Sequence, residues 1–338
     1  MRRNYQSIPR YVPHEVTGFA LNQNESQFEL PERLKQEIRN VSLEGLNSYP
    51  VSELIALKKS YATYAGVKPN QLMVGSGSDE LLAILSQAIL DAEDQVIAPA
   101  PDFSMYGIYT QIARANFVQP QTEGLSFESL MKTIKEHEPK LVLLSNPNNP
   151  TGKMWTKEEI ETIAAHVPFL VVDEAYIDFT MQDSFVTELG YHPNVIILRT
   201  LSKAFGLANL RIGFMIADAK VIEQIDRFRS PFNVSGLSAA VATVVLNDSD
   251  YIKESVRFHN EQRDKLETLL QPIGEMIPSR ANFLYIKTDE SHVWAERFLD
   301  HGIHIRAFSD GIRVSAGTDE AYTHIQNMLN EVNSVENS

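Results

Sequence analysis

Several residue types and patterns are missing from this sequence, and each absence excludes a class of function. The 338 residues include no cysteine, so disulfide bonds, thiolate nucleophiles and cysteine-ligated metal sites are excluded. No apolar run approaches the roughly 20 residues that a membrane-spanning helix needs. No apolar stretch follows the basic pair Arg2 and Arg3, as it would in a signal peptide. We therefore predict a cytoplasmic protein without a membrane partner.

Positive charge is also scarce. Lysine and arginine number 30 against 44 aspartate and glutamate residues, which gives a formal net charge of -14. This acidic excess argues against nucleic acids and anionic membranes as partners, and an anionic ligand would need a locally basic pocket. The 9 histidines are scattered along the chain. Because they form no metal-binding motif, we predict no metal site.

The apolar residues that are present, 43% of the chain, are arranged as in a layered α/β domain. Short runs rich in β-branched residues and leucine alternate with amphipathic stretches, which is typical of buried strands in a mainly parallel sheet. The predicted strands span 71–74, 95–98, 141–144, 169–172, 195–198 and 212–216. Helices are predicted at 79–90 and at 156–165, and Thr156 and Glu159 form a capping box at the start of the second.

The pattern changes after residue 248, which indicates a second, smaller domain. A long charged helix is predicted at 251–270, followed by strands at 282–287, 303–307 and 311–315 and a helix from residue 319. We predict a large domain over 48–248 and a small α+β domain over 249–338. We expect residues 1–47 to join the small domain, because they precede the first strand of the sheet.

Polar and charged residues follow the predicted strands directly. In an open α/β sheet, ligands bind outside the carboxyl ends of the strands, so these residues are candidates for one site. They are Gly77, Ser78, Asp79, Phe103, Asn149, Asp173, Tyr176, Thr200, Ser202, Lys203 and Arg211. The convergence of glycine-rich turns with a carboxylate, a tyrosine, a lysine and an arginine predicts a ligand site at this edge.

Three of these features also have simpler interpretations. The glycine-rich turn at 75–78 either cradles a phosphate with the free N–H groups of a helix start or is only a tight turn. Lys203 is either a solvated surface residue or an amine nucleophile. Asp173 is either an N-cap or a buried carboxylate that needs a cationic partner, such as a protonated pyridine nitrogen.

The remaining candidates are equally open on the residues alone. The loop at 146–152 is rich in turn residues, and its two prolines also suit a rigid platform that aims an amide at a ligand. Arg211 could be a structural salt-bridge partner, and Phe103 could belong to the core. Arg313 lies in a predicted strand, where it faces either solvent or a cleft between domains.

Three motifs together resemble a known family. They are Ser-Asn-Pro-Asn-Asn-Pro-Thr-Gly at 145–152, Asp-Glu-Ala-Tyr at 173–176, and Ser-Lys-Ala-Phe at 202–205 with Arg211. In order and spacing they resemble fold-type-I aminotransferases that depend on pyridoxal 5'-phosphate (PLP), most closely the histidinol-phosphate aminotransferase group. The resemblance implies a mainly parallel central sheet with helices on both faces, plus a smaller α+β domain.

The resemblance also implies a role for each matching residue. Lys203 would hold PLP as a Schiff base and move a proton, and Asp173 would pair with the ring nitrogen. Tyr176 and Asn149 would bind the phenolic oxygen of the ring, and Phe103 would stack on the ring. The phosphate would be bound by the turn at Gly77, Ser78 and Asp79, by Thr200, Ser202 and Arg211, and by Tyr49 of a second copy, which implies a homodimer with shared active sites.

The substrate is the least defined part of the resemblance. Arg313 would bind the acid group, while Arg306 and Tyr11 would help to bind a phosphate, as in histidinol phosphate, with 2-oxoglutarate as acceptor. The segment 22–26 lacks the proline and glycine common in the family, and Val51-Ser52 replaces its usual acidic residue and proline. Both departures lie near the substrate entrance.

Other functions stay open at this stage. They are an aromatic or general amino-acid aminotransferase, a decarboxylase of the threonine-phosphate type on the same scaffold, and a PLP-binding module without catalysis. A nucleotide-dependent dehydrogenase is disfavoured, because no strand is followed by a GxGxxG turn with a downstream acid.

Overall fold

The computed structural model describes residue 8 and residues 17–120 and 125–336. The strands are β1 (Phe19–Ala20), β2 (Leu72–Gly75), β3 (Gln95–Ile97), β4 (Asn116–Val118), β5 (Leu141–Ser145), β6 (Phe169–Asp173), β7 (Val195–Thr200), β8 (Gly213–Ile216), β9 (Glu275–Ile277), β10 (Phe283–Lys287), β11 (Ile303–His304), β12 (Arg306–Phe308) and β13 (Gly311–Ser315). The helices are α1 (Glu32–Arg39), α2 (Val51–Ala65), α3 (Gly77–Ile89), α4 (Met105–Ala113), α5 (Phe127–His137), α6 (Lys157–Ala164), α7 (Ala219–Ile225), α8 (Gly236–Leu246), α9 (Ser249–Leu270), α10 (Ser291–Asp300) and α11 (Asp319–Glu336).

The six apolar runs of the sequence all lie in one seven-stranded sheet of order β2-β8-β7-β6-β5-β3-β4. Only β8 runs antiparallel to its neighbours β2 and β7, and the other pairs are parallel. Side chains of successive residues enter different cores: Val172 packs in the apolar cluster on one face of the sheet and Val171 in the cluster on the other. Burial on both faces explains the near-continuous apolar runs, and the predicted α/β fold class is confirmed.

Helix starts follow their capping residues. At the start of α6 the Thr156 hydroxyl accepts the Glu159 N–H at 3.2 Å, and the Glu159 carboxylate accepts the Thr156 N–H at 2.8 Å, so the predicted capping box is confirmed. Asp248 caps α9 by accepting the Tyr251 N–H at 2.9 Å. The predicted start at 251 was therefore two residues too late.

The C-terminal sheet has the order β12-β13-β10-β9 and is antiparallel. The prediction of one strand over 303–307 was wrong. The segment forms two short strands, of which β11 pairs in parallel with β1 and β12 pairs with β13. A change of pairing partner does not alter the polar pattern of a run, so the sequence could not reveal it.

Residues of the N-terminal segment contact both parts of the molecule. Strand β1 pairs with β11 beside the C-terminal sheet, and Leu21 belongs to the core of that region. Helix α1 instead packs on α8, with Leu34 fully buried in the core of the seven-stranded sheet. The division of the chain at 47–48 and 248–249 stays a prediction.

In the part of the chain that the structure describes, no helix combines the length and the apolar character needed to cross a bilayer. The same residues contain no group of three or more histidine, aspartate or glutamate side chains placed to hold a metal ion.

Candidate active site

Three neighbouring parallel strands end at the same edge of the large sheet. Strand β5 ends at Ser145, which lies beside Asp173 at the end of β6, and Asp173 is in turn level with Leu198 of β7. The loops that continue these strands carry Asn149, Tyr176 and Lys203. The parallel register therefore brings together the three segments that the sequence motifs singled out.

Asp173 is almost completely buried, with 4% of its surface exposed. Its two oxygens accept hydrogen bonds from neutral donors, the Tyr106 hydroxyl at 3.1 Å and the Ala175 N–H at 3.1 Å. Burial raises the pKa of Asp173 to about 7. A carboxylate placed in this way would be stabilised by a cation, and a protonated ring nitrogen is of the right size and charge.

Lys203 is half-buried beside Tyr176. Its Nζ donates a hydrogen bond to the carbonyl oxygen of Gln23 at 2.9 Å and lies 5.7 Å from the centre of the Tyr176 ring. The Tyr176 hydroxyl accepts a hydrogen bond from Nδ2 of Asn24 at 2.9 Å. The amine and the phenol therefore face the same space, which the N-terminal segment borders.

The start of α3 forms an anion cradle with the loop before β8. Gly77 has φ of +79°, and a Cβ there would lie 2.5 Å from Nη2 of Arg211, while a Cβ on Gly213 would lie 2.6 Å from the backbone nitrogen of Ser78. Glu80 accepts the Ser76 N–H at 2.6 Å, but the Ser76 side chain does not cap α3, so the N–H groups of the first turn are available to a ligand. Free N–H groups at a helix start next to an arginine fit a phosphate.

Polar side chains complete the cradle. Nη2 of Arg211 lies 3.3 Å from Asp79, and Nη1 of Arg211 lies 3.5 Å from the Ser202 hydroxyl. The hydroxyls of Ser202 and Thr200 are 2.9 Å apart, and both residues are buried. The structure thus brings together all the residues of the chain's own phosphate site that the resemblance implied.

Two residues near the ring position were missed by sequence reasoning. Tyr106 is fully buried, binds Asp173, and contacts Phe103 edge-on with 5.5 Å between ring centres. Asp102 accepts hydrogen bonds from the hydroxyl and the backbone N–H of Ser145, and burial raises its pKa to about 8. The spacing of three residues between Phe103 and Tyr106 at the start of α4 was the one available signal.

Arg313 of the C-terminal sheet is buried against the loop after β5 and the N-terminal segment, with 7% of its surface exposed. Its Nη1 donates to Oδ1 of Asn149, and its Nη2 donates to the carbonyl oxygen of Asn22 at 2.6 Å. Burial lowers the pKa of Arg313 to about 10. Of the two interpretations left open, the structure therefore favours the buried cleft over solvent.

Arg306 lies directly opposite Arg313 in the β12–β13 hairpin, so the two side chains share one face of the sheet. Arg306 is exposed in this single chain. The two arginines thus lie on the paired strands of one hairpin. Their approach also lowers the pKa of Arg313 further, since two guanidinium charges repel.

For two predicted site residues, the structure of a single chain shows no contact, among the residues that it describes, with the other site residues above. Tyr49 is 76% exposed and stacks on Phe232, with ring centres 4.5 Å apart. Tyr11 lies outside the described residues.

Comparison with known proteins identifies the class. Residues 16–328 match the family "Aminotransferase class I and II". The chain is 34% identical to a histidinol-phosphate aminotransferase of Thermoanaerobacter sp. (strain X514), over 98% of both chains. It is 33% identical to one of Clostridium novyi (strain NT), over 96% of this chain and 95% of that one.

Solved structures agree with this class. Histidinol-phosphate aminotransferase from Sinorhizobium meliloti, in complex with pyridoxal-5'-phosphate, superposes with a TM-score of 0.88 at 26% identity and 98% coverage of both chains. Aspartate aminotransferase from Thermus thermophilus with maleate gives a TM-score of 0.80 at 23% identity, over 94% of this chain and 92% of that one, which shows the fold alone.

The fold and the strand-end site are those of a PLP-dependent aminotransferase. The chain belongs to the class I and II aminotransferases, and its relatives above are histidinol-phosphate aminotransferases. Its cofactor is pyridoxal 5'-phosphate. The glycine cradle beside Arg211 and the desolvated carboxylate of Asp173 fit the phosphate and the ring nitrogen of this cofactor.

Proposed function

We propose that the protein transfers an amino group from histidinol phosphate to a 2-oxo acid such as 2-oxoglutarate. The observation that carries the proposal is the cross-strand pair of Arg306 and Arg313. Arg313 binds the carbonyl of Asn22, and Lys203 binds the carbonyl of the next residue, Gln23. One arginine suffices for a single carboxylate through a bidentate pair, whereas two arginines match a phosphate dianion better. The name of the relatives supports the same donor.

Bound PLP supplies an electron sink for the carbanion that forms at the α-carbon of the donor. Lys203 would provide the primary amine that holds the cofactor and, once free, would accept the proton from the α-carbon of the donor on its Nζ. Asp173 would provide the negative charge that keeps the ring nitrogen protonated. Its burial makes this interaction strong, because little water screens it.

The other residues position the cofactor. Tyr176 and Asn149 would donate hydrogen bonds to its phenolic oxygen, and Phe103 would cover one face of its ring. The phosphate would be held by Gly77, Ser78, Asp79, Thr200, Ser202 and Arg211. Tyr49 would reach the phosphate of a second copy, which would make the functional unit a homodimer. The exposure of Tyr49 in a single chain supports this arrangement.

On the substrate side, Arg313 binds one part of the donor anion and Arg306 the other, with Tyr11 as a further hydroxyl donor. The exposure of Arg306 in a single chain favours one alternative, an aromatic or general amino-acid aminotransferase that uses Arg313 alone. A decarboxylase of the threonine-phosphate type would use the same cofactor residues and would release carbon dioxide. The cytoplasmic location stays a prediction.

The test compares kcat/KM for histidinol phosphate, histidine and phenylalanine in the wild type and in Arg306→Ala. We expect the wild type to prefer the phosphate ester. The variant should lose about 2–4 kcal/mol of transition-state binding for this donor, which is about 30- to 1000-fold, and much less for phenylalanine.

Arg257→Ala is the matched control, because Arg257 is an exposed arginine of α9 with only a long ion pair to Glu261 at 3.9 Å. Equal losses for both donors in Arg306→Ala, or a wild-type preference for phenylalanine, would contradict histidinol phosphate as the donor. Release of carbon dioxide without formation of a new amino acid would instead support the decarboxylase.

A further inference from the structure

Asn24 is a buried residue of the N-terminal segment, with 1% of its surface exposed. Its side chain bridges two parts of the molecule. Nδ2 donates a hydrogen bond to the Tyr176 hydroxyl at 2.9 Å, and Oδ1 accepts one from the Ser315 hydroxyl at 2.9 Å. The backbone carbonyl of Asn24 accepts a further hydrogen bond from Nδ2 of Asn282 at 3.2 Å. These contacts hold the side-chain amide in one position.

The hydrogen bonds also fix which way the amide points. The Ser315 hydroxyl accepts the backbone N–H of Asn24 at 3.1 Å, so its own hydrogen is available for Oδ1. If the amide were turned around, Nδ2 would face this hydroxyl and the buried serine hydrogen would have no acceptor there. An unsatisfied buried donor costs about 1–3 kcal/mol, so Ser315 favours the orientation with Nδ2 towards Tyr176.

This orientation determines the direction of the Tyr176 hydroxyl. The side-chain nitrogen of an asparagine can only donate hydrogen bonds, so the Tyr176 oxygen must accept the hydrogen bond from Asn24. The single hydrogen of the hydroxyl then points away from Asn24 and is free for another acceptor. Lys203 Nζ lies over the ring of Tyr176, 5.7 Å from the ring centre.

We infer that Asn24 is a positioning residue that fixes the direction of the Tyr176 hydroxyl hydrogen. The tyrosine hydroxyl then always donates its hydrogen bond to the phenolic oxygen of the cofactor. The inference rests on the role proposed above for Tyr176. We call the hydrogen-bonded series Ser315, Asn24 and Tyr176 the relay. Its first member, Ser315, lies two residues after Arg313 on β13, so both side chains project from the same face of the strand. The relay thus connects the strand that carries the substrate arginine to the cofactor oxygen.

The relay has a spectroscopic consequence. A hydrogen bond from Tyr176 to the phenolic oxygen of the cofactor reduces the negative charge on that oxygen. The phenolic oxygen then attracts the proton between it and Lys203 Nζ less strongly. Loss or reversal of this hydrogen bond should therefore raise the pH midpoint of the absorbance change of the bound cofactor. This midpoint is measured without substrate and without turnover.

Four variants of the holoenzyme separate the effect of the direction of the Tyr176 hydrogen bond from the effect of lost side-chain packing. Tyr176→Phe removes the donor, and Asn24→Asp offers the tyrosine an acceptor and reverses the hydrogen bond. We expect both to raise the midpoint by about one unit, a tenfold change in proton affinity. Asn24→Ala leaves the tyrosine hydrogen free and should raise it much less. Ser315→Ala releases the amide and should give an intermediate shift.

Gln23→Glu is the charge control, because it adds a carboxylate at the adjacent residue, whose side chain is exposed. The other titratable and charged groups around this site are Asp79, Asp102, Tyr106, Asp173, Arg211, Arg306 and Arg313. All the variants leave these groups in place. Far-ultraviolet circular dichroism and the amount of bound cofactor confirm that each variant is folded.

The order of the shifts decides the inference. Three outcomes would overturn the relay and leave the role of Tyr176 intact. The midpoint shift in Asn24→Asp could equal the shift in Asn24→Ala, or it could equal the shift in Gln23→Glu. Asn24→Asp could also show no shift while Tyr176→Phe does. An unchanged midpoint in Tyr176→Phe would overturn the proposed role of Tyr176 and the relay with it. If Ser315→Ala does not fold, the three variants at Asn24 and Tyr176 still decide the outcome.

Discussion

The cofactor end and the substrate end of the site differ in how far a single chain completes them. At the cofactor end, Asp173, Thr200 and Ser202 are buried on strand ends and bound to their neighbours. At the substrate end, Arg306 is exposed, and only Arg313 is enclosed. The sheet register assembles the first set, whereas the second also needs a donor molecule. One cofactor residue differs from the rest, because Tyr49 is exposed and, as we propose, acts only in a second copy of the chain.

Lys203 provides the strongest test of the cofactor end. Lys203→Ala should lower turnover by about 10⁴-fold or more, because the nucleophile is lost together with a general base that alone contributes about 10²–10⁴-fold. In the wild type, borohydride reduction followed by peptide mapping should place the pyridoxyl group on Lys203. Lys253→Ala, at an exposed lysine of α9, is the control. A pyridoxyl group on another lysine would show that the site is assigned wrongly.

Asp173 should have the next largest effect. Asp173→Asn should still bind PLP but lose about 10²–10³-fold in turnover, since a neutral amide cannot stabilise the protonated ring nitrogen as the charge develops. Cofactor content by absorbance and single-turnover rates separate binding from chemistry. Turnover near that of the wild type would contradict the strand-end carboxylate as partner of the ring.

Tyr49 tests whether the phosphate site at the cofactor end is completed by a partner. We expect a dimer in sedimentation at micromolar concentration, and Tyr49→Ala should lose about 10- to 100-fold in activity through one lost hydrogen bond to a charged group. Mixing Tyr49→Ala with Lys203→Ala chains should restore about a quarter of the wild-type activity, because half of the dimers are hybrid and each hybrid has one complete site. A fully active monomer would rule out the shared site.

The smallest expected effect concerns Asp102 in the cofactor-free protein. Burial raises its pKa to about 8, above the value of about 4 in an unfolded chain, so the folded state keeps a proton that the unfolded state releases. The stability contributed by the neutral carboxyl is therefore present at low pH and is lost as the pH rises through about 8. Asp102→Asn carries no charge and should gain a few degrees in Tm over the wild type at pH 8.5 relative to pH 6.

Thermal unfolding of the cofactor-free proteins at both pH values measures this difference. Asp289→Asn, at an exposed aspartate after β10, is the control and should show no such change. A difference between wild type and Asp102→Asn that does not depend on pH would mean that Asp102 stays ionised in the folded protein.

The cofactor end could be predicted from the sequence because it depends on local patterns. A buried apolar run that ends in Asp173, and motifs that follow the ends of β5 and β7, place their residues at one edge through strand pairing alone. Asn24 could not be predicted, since its partners Tyr176 and Ser315 are 152 and 291 residues away along the chain. The half-buried position of Asp102 likewise depends on contact with Ser145 at the end of β5. Long-range hydrogen bonds of this kind leave no periodic pattern.

The two carbonyl groups of Asn22 and Gln23 already bind the nitrogens that the reaction needs, Nη2 of Arg313 and Nζ of Lys203. Arg313 also has a buried Nε without a hydrogen-bond partner among the described residues. Nη2 carries two hydrogens, so a donor anion that binds the Nε and Nη2 edge either shares Nη2 with the Asn22 carbonyl or displaces it. Among the described residues, Nε is a buried donor that stays open to such an anion, whose charged oxygens accept more strongly than a peptide carbonyl.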